Sequence, residues 1–257
     1  MNDLILNDKT IFQICINLND DIEELKKSRK KLLDLNSDWS YFCIQSQEQF
    51  NQIMIEQFKY SNNEFENKIY NLFDSVPEVL LYGQKCRKAK DLDEREKVHE
   101  VCKLVSQTDI FRLAMIYKFG GLYFDLSSQL VIDIESSFSK YNCCLVRSDK
   151  EVRTSMLYAK KNNNIVKKIL SSSIDKVSES KREGTKIMQM SLAGPTHWTN
   201  VILNEIKQEG LEENNAKVFW ENELIGWEMM STWKRELHTP SSKNPFKKIN
   251  QHWLKDY

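Results

Sequence analysis

Two adjacent glycines, Gly120 and Gly121, most constrain what this chain can fold into. They interrupt residues 106–129, SQTDIFRLAMIYKFGGLYFDLSSQ, and the residues on either side follow different periods. Before the glycines, Ile110, Leu113, Ala114 and Tyr117 recur at helical spacing and define one apolar face. The hydroxyl of Ser106 or Thr108 can cap the start of that helix. The glycines end it, because the residue after the last turn often takes left-handed backbone. After them, residues 122–125 read as a short buried strand ending on a carboxylate. Asp109 and Arg112 stand three apart on the helix and share a face. Helix, turn and strand thus deliver Asp109, Arg112, Tyr123 and Asp125 to one neighbourhood.

The remaining chain supplies an α/β frame. Residues 10–17, TIFQICIN, read as a buried strand, 22–35 as a charged amphipathic helix and 41–44 as a second strand. Such a β-α-β opening binds ligands at the carboxyl ends of its strands. Residues 47–105 carry almost no strand signal. Helical periodicity recurs over 48–58, 65–73 and 78–88, and the charge run 88–100 reads as a solvated helix face. Beyond the central motif, 129–134 extends its strand or loop, 142–147 and 155–159 read as strands, and 165–177 as a helix. A Gly-Pro turn at 194–195 precedes a helix over 198–207, and 216–220 is a late strand. A chain of 257 residues with 40% hydrophobic content suits one domain carrying an insertion. Seven glycines and four prolines are too few for an all-β fold built on tight turns.

Net charge is zero, so no global field draws nucleic acid or anionic membrane. No basic patch interleaved with aromatics marks a nucleic-acid binder. No run approaches the ~18 apolar residues of a membrane span. The opening MNDLILNDKT lacks the basic and apolar parts of a signal peptide, and a cytoplasmic location is expected. The cysteines are Cys15, Cys43, Cys86, Cys102, Cys143 and Cys144, without a C-x-x-C or zinc-finger histidine spacing. Buried free thiols are expected. His99 is lone and expected to face solvent.

The pattern S-D-x-x-R followed by G-G-x-Y-x-D-x-D resembles glycosyltransferase family 32. That family of DXD-motif sugar transferases includes the yeast initiating α-1,6-mannosyltransferase and bacterial capsule and lipopolysaccharide enzymes. The catalytic domains of the large glucosylating toxins share its core. Asp109, Arg112, Gly120, Gly121, Tyr123 and Asp125 match. Thr108 stands where serine is usual, and Ser127 where the second aspartate of DXD belongs. Residues 10–17 resemble the family's I-P-K-I-I-H-Q strand, with Ile16 and Asn17 replacing histidine and glutamine. The loop from residue 18 approaches the base in the family, and the aromatic common there is missing. Residues 36–41, NSDWSY, resemble its N-P-x-[WY]-x-[YF] turn. Residues 192–196, LAGPT, resemble its T-G-P-x-x-x-T turn, with Thr199 at the last position. The tail NQHWLKDY resembles the closing H-x-W-x-x-S-W segment: His252 and Trp253 match, while Asp256 and Tyr257 replace serine and tryptophan.

The resemblance implies a GT-A-like nucleotide-sugar-binding fold, a Rossmann-like mixed sheet flanked by helices. One domain, 1–257, would carry a helical insertion at about 47–105 and a closing tail at about 243–257. The insertion either only packs or helps choose the acceptor. The implied reaction is retaining transfer from a UDP- or GDP-sugar to a glycan or lipid-linked acceptor in surface polysaccharide biosynthesis, either in the cytoplasm or peripherally on the inner membrane face. Asp109, Arg112, Tyr123 and Asp125 would be catalytic. A carboxylate accepts from sugar hydroxyls, and a guanidinium donates in a fixed fork. The donor would meet Asn17, Asp109, Arg112, Asp125, Ser127, His252, Trp253 and Lys255, with Lys243, Lys247 and Lys248 adding charge toward the diphosphate. A hard divalent cation, Mn2+ or Mg2+, would bridge the phosphates. Its expected ligands are Asp125, Ser127 and Asp256, the last supplying the carboxylate that Ser127 cannot. The alternative, favoured by Ser127, is a degenerate member that binds a nucleotide-sugar or a partner without transfer.

Overall fold

The fold is that of a computed structural model, which describes residues 6–16, 23–81, 92–125, 133–139, 141–148 and 151–208. The opening β-α-β unit forms as its pattern predicts. Strand β1, Thr10–Ile14, pairs in parallel with β2, Ser40–Ile44, in the register Thr10↔Ser40 to Ile14↔Ile44. Helix α1, Glu23–Leu35, connects them. The N-x-x-W turn has a structural task. The Asn36 amide donates to Leu32 O at 2.8 Å and its Oδ1 accepts from Ile134 N at 2.7 Å, while Trp39 is buried beneath.

Helix α2, Gln47–Met54, is capped by the Ser46 hydroxyl and runs into a π-helical turn, Ile55–Lys59. Helix α3, Glu64–Val79, begins under an Asn63 cap and contains Pro77. Proline has no N–H for the carbonyl four residues back. That carbonyl, Phe73 O, instead accepts from the buried Gln107 amide. Helical periodicity over 78–88 suggested a further helix. Of that segment, residues 78–79 end α3, and β3 at Leu80–Leu81 leaves the helical path and pairs in parallel with β7, Ile187–Met188; residues 82–88 lie outside the described residues.

Helix α4, Leu92–Phe119, departs most from expectation. From residue 92 on, the charge run and the central motif helix are one 28-residue helix. No glycine or proline interrupts residues 92–119, so nothing ends the helix at Ser106 or Thr108. Ser106 is buried in its middle and is not a cap. The glycines do terminate it. Gly120 and Gly121 have φ of 76° and 97°. A Cβ on Gly121 would stand 2.3 Å from Thr10 O, so only glycine lets β4 lie against β1 here.

Strand β4, Gly121–Phe124, completes the parallel core with β1 and then meets β6 antiparallel. Helix α5, Ile134–Phe138, leads to β5, Cys143–Ser148, and β6, Glu151–Ala159. The sheet order is β2-β1-β4-β6-β5. Helix α6, Asn164–Glu183, is capped by Asn163 and stopped by left-handed Gly184. Short α7, Gln189–Leu192, turns at the Gly-Pro pair into α8, Pro195–Gln208. Proline suits a first helical position, where no N–H is needed. Ser173 and Lys176 of α6 fix this turn by donating to Leu192 O and Ser191 O, each at 2.8 Å. Lys176 also reaches His197 Nδ1 at 2.8 Å; burial, with Lys176 adding, lowers that imidazole to about 4 and keeps it neutral.

The apolar face read from the motif is real: Ile110, Leu113, Ala114 and Tyr117 all enter the larger core cluster, with Phe50 and Phe111 stacked at 4.5 Å. Ile11, Leu122, Phe124 and Tyr158 form the core on the opposite face, below α1 and α5. The free-thiol expectation needs correction for one pair. Cys15 and Cys43 are joined as a disulfide, since the parallel register brings their Cα atoms to 6.4 Å. Of the other described cysteines, Cys143 and Cys144 are buried and Cys102 is half-buried. His99 is half-buried rather than fully exposed. Among the described residues no helix is long and apolar enough to cross a membrane.

Candidate active site

The geometry follows from α4 and β4 running antiparallel on either side of the glycine pair. An α-helix rises ~1.5 Å per residue and a strand ~3.3 Å. Arg112 therefore lies about as far up α4 from the turn as Asp125 lies up β4. Both reach the carboxyl edge of the parallel strands, where this class of sheet binds ligands. The twenty residues of α4 preceding Arg112 extend the helix ~30 Å further.

Arg112 is the hub. Its Nη2 lies 3.1 Å from Asp109 Oδ1 and its Nη1 3.4 Å from Asp125 Oδ1. Nη1 also donates to Thr154 O of β6, and Nε to Thr108 O at 3.4 Å. The guanidinium stacks over the Tyr123 ring, 4.5 Å from its centroid. Tyr123 donates to Asp125 Oδ1 at 2.6 Å. The Asp109 and Arg112 side chains are 4% and 7% exposed, whereas Asp125 keeps 35%. The node is thus sealed from below and open at Asp125.

Burial sets the charges. It drives Asp109 from the ordinary carboxylate range up to about 7, with Arg112 opposing and Asp125 adding. Tyr123 rises well above its ordinary value, chiefly through burial, and stays a neutral donor. Burial works against the Arg112 charge, but Tyr123, Asp109 and Asp125 outweigh it and hold the guanidinium above its usual value. The arrangement offers a buried acceptor, a fixed cationic donor and a partly open carboxylate within one cluster.

A family model for the glycosyltransferase sugar-binding region containing DXD motif matches residues 22–144, a span that includes all four of these side chains. Among solved structures, the PaToxG glycosyltransferase superposes with a TM-score of 0.51 at 21% identity, over 84% of this chain and 75% of that one. The fold is GT-A-like. The UDP-bound glycosyltransferase domain from the YGT toxin aligns at 12% identity and a TM-score of 0.42, over 80% and 79% of the two chains. No curated protein matches the chain.

Within this GT-A-like frame the structure brings together Asp109, Arg112, Tyr123 and Asp125. Asn17, Ser127, His252, Trp253, Lys255 and Asp256 lie outside the described residues, as do Lys243, Lys247, Lys248 and the 216–220 strand. Among the described residues no group of three His, Cys, Asp or Glu side chains converges on a cation position. Asp125 is the one expected ligand that is described, and its half-open carboxylate suits a hard cation as a single oxygen ligand. Sequence reasoning missed two contributors. Thr154 acts through its backbone carbonyl, which no residue type announces. Gln13, buried in β1, donates to Phe124 O at 3.4 Å and accepts from Tyr41 at 2.5 Å, bracing the end of β4 beside Asp125. A buried glutamine in an otherwise apolar strand was the available signal.

Proposed function

We propose that this protein is a glycosyltransferase that moves a sugar from a nucleoside-diphosphate donor to a glycan or glycolipid acceptor with retention, in surface polysaccharide biosynthesis. The observation carrying the proposal is the Asp109–Arg112–Tyr123–Asp125 node at the carboxyl edge of the sheet, inside the span that resembles the sugar-binding region.

Asp109 would accept from a sugar hydroxyl, and Arg112 would donate to the same sugar while remaining fixed by Thr154 and Thr108. The five contacts that hold Arg112 allow little reorientation, which preorganises the donor site. Tyr123 orients Asp125 through its 2.6 Å hydrogen bond. Asp125 would meet the ribose, a divalent cation, or a water on that cation. The cation, when bound, supplies charge neutralisation to the diphosphate. In a retaining transfer the acceptor attacks from the leaving-group face, and the departing diphosphate oxygen can take its proton. No separate enzymic nucleophile is required.

The test is a donor screen across UDP- and GDP-sugars, with and without Mn2+, detecting both hydrolysis and transfer products. Turnover of at least one donor that is lost in Asp109→Asn is the expected result. Nucleotide-sugar binding without turnover would support the degenerate reading that Ser127 favours. Absence of both would end the transferase proposal.

A further inference from the structure

The T-G-P-x-x-x-T-like turn contributes no side chain to the node, yet hydrogen bonds connect the two. Thr199, in the first turns of α8, is buried. Its hydroxyl donates to Pro195 O at 2.8 Å, and the same oxygen accepts from the Val152 amide at 2.8 Å. Val152 sits at the start of β6, immediately before an irregular stretch. The β5–β6 register steps from Val146↔Arg153 to Leu145↔Leu157, leaving Thr154, Ser155 and Met156 without β5 partners. This slack segment is what the site hangs on. Thr154 O accepts from Arg112, and Ser155 O accepts from the Asp125 amide at 2.8 Å. One end of the bulge is held by the β4 ladder, with Met156 opposite Phe124. The other end pairs with β5 over Glu151–Arg153 and is tied to α8, on its remaining side, by the Thr199 hydroxyl.

We infer that Thr199 is a positioning residue: by anchoring Val152 it sets the Thr154 and Ser155 carbonyls, and through them the placement of Arg112 and Asp125. A bulged segment has lost ladder hydrogen bonds on one side and aims its groups according to whatever anchors its ends. Threonine suits the anchor because a hydroxyl donates and accepts at once. Valine has the same shape and can do neither. The kinetic part of this inference rests on the transferase proposal; its structural part does not.

The experiment uses the full chain and compares Thr199→Val with Thr199→Ser. The first readout is amide exchange at Val152 together with the NMR resonance of the Arg112 Nε–H. In the parent protein the Val152 amide is expected among the slowly exchanging set. In Thr199→Val its exchange accelerates about tenfold or more, as for loss of one buried hydrogen bond, and the Arg112 resonance shifts. Thr199→Ser restores both. The second readout is turnover of whichever UDP- or GDP-sugar the parent uses. Thr199→Val loses about tenfold in kcat/KM, Thr199→Ser recovers most of it, and Thr199→Val adds nothing further on top of Arg112→Lys. A fast Val152 amide in the parent overturns the inference, and that measurement stands even if Thr199→Val does not fold. An unmoved Arg112 resonance in a folded Thr199→Val also overturns it, as does full additivity with Arg112→Lys. A parent that turns over no donor, while the Arg112 resonance moves as described, ends the transferase proposal and leaves the positioning role established.

Discussion

Helix α4 carries a buried and a part-buried cation less than two turns apart, and their surroundings differ. Lys118 lies near its carboxyl end, 2.7 Å from Glu66, donating also to Gln57 O and lying 5.1 Å from the Phe58 ring centroid. Glu66 accepts in addition from the Ser61 hydroxyl at 2.5 Å. Arg112, further up, meets two carboxylates, two carbonyls and an aromatic face. By residue type both read as a cation with a buried acid. The lysine node ties the π-helical turn and α3 to α4 and is closed by its own partners. The arginine node ends in Asp125, a carboxylate with 35% exposure at the sheet edge. A buried ion pair says little about function until it is known whether one member faces an opening.

That contrast can be broken most severely at Arg112. Arg112→Lys keeps the charge but loses the fork to Asp109, Asp125 and Thr154. Two charge-assisted contacts at ~1.5 kcal/mol each amount to about a hundredfold in kcat/KM. Steady-state donor turnover measures this, and a loss under threefold would remove Arg112 from the site. Lys118→Met should do the opposite, lowering stability while leaving kcat/KM within about twofold in the folded fraction. Removing one member of a fully buried pair costs ~3–5 kcal/mol. With Lys118 still 19% exposed, we expect the low end, about 2–3 kcal/mol, read by denaturant unfolding. A catalytic loss without a stability loss would reverse the assignment of the two nodes.

A subtler probe is Tyr123→Phe, which keeps the ring under Arg112 and deletes the donor to Asp125. About a tenfold fall in kcat/KM is expected, with little change in unfolding midpoint. If stability moved and turnover did not, the hydroxyl would be structural.

The last probe is pH dependence. Burial raises Asp109 to about 7 in the folded chain, so the fold favours its protonated form. Its contribution to stability is fully present below the ordinary carboxylate pKa and is lost as pH rises through about 7. Between pH 4 and 7 the parent should therefore lose stability relative to Asp109→Asn, whatever the offset between them. Parallel melting curves across that range would contradict the buried acid.

The central motif was legible because its information is local. Helical spacing places Asp109 and Arg112 on one face, and glycines with positive φ turn the chain sharply enough to return Tyr123 and Asp125 beside them. The start of the helix was misread for a related reason. Ser106 and Thr108 are plausible caps, but a cap requires a break before it, and residues 92–105 supply none. The Cys15–Cys43 pairing depends on strand register, which residue type and spacing do not specify.

By itself the sequence determined the β-α-β opening, the glycine end of α4, and the four side chains that its turn brings together. Those outcomes follow from periodicity and backbone sterics, which act over a few residues. Tertiary structure alone decided that Arg112 is held by Thr154 O, that Thr199 anchors the strand presenting that carbonyl, and that Lys118 is closed off by Glu66. Each joins residues 42 to 52 positions apart. Backbone carbonyls and amides are common to nearly every residue, so which of them becomes a partner is decided only when the sheet and helices have packed.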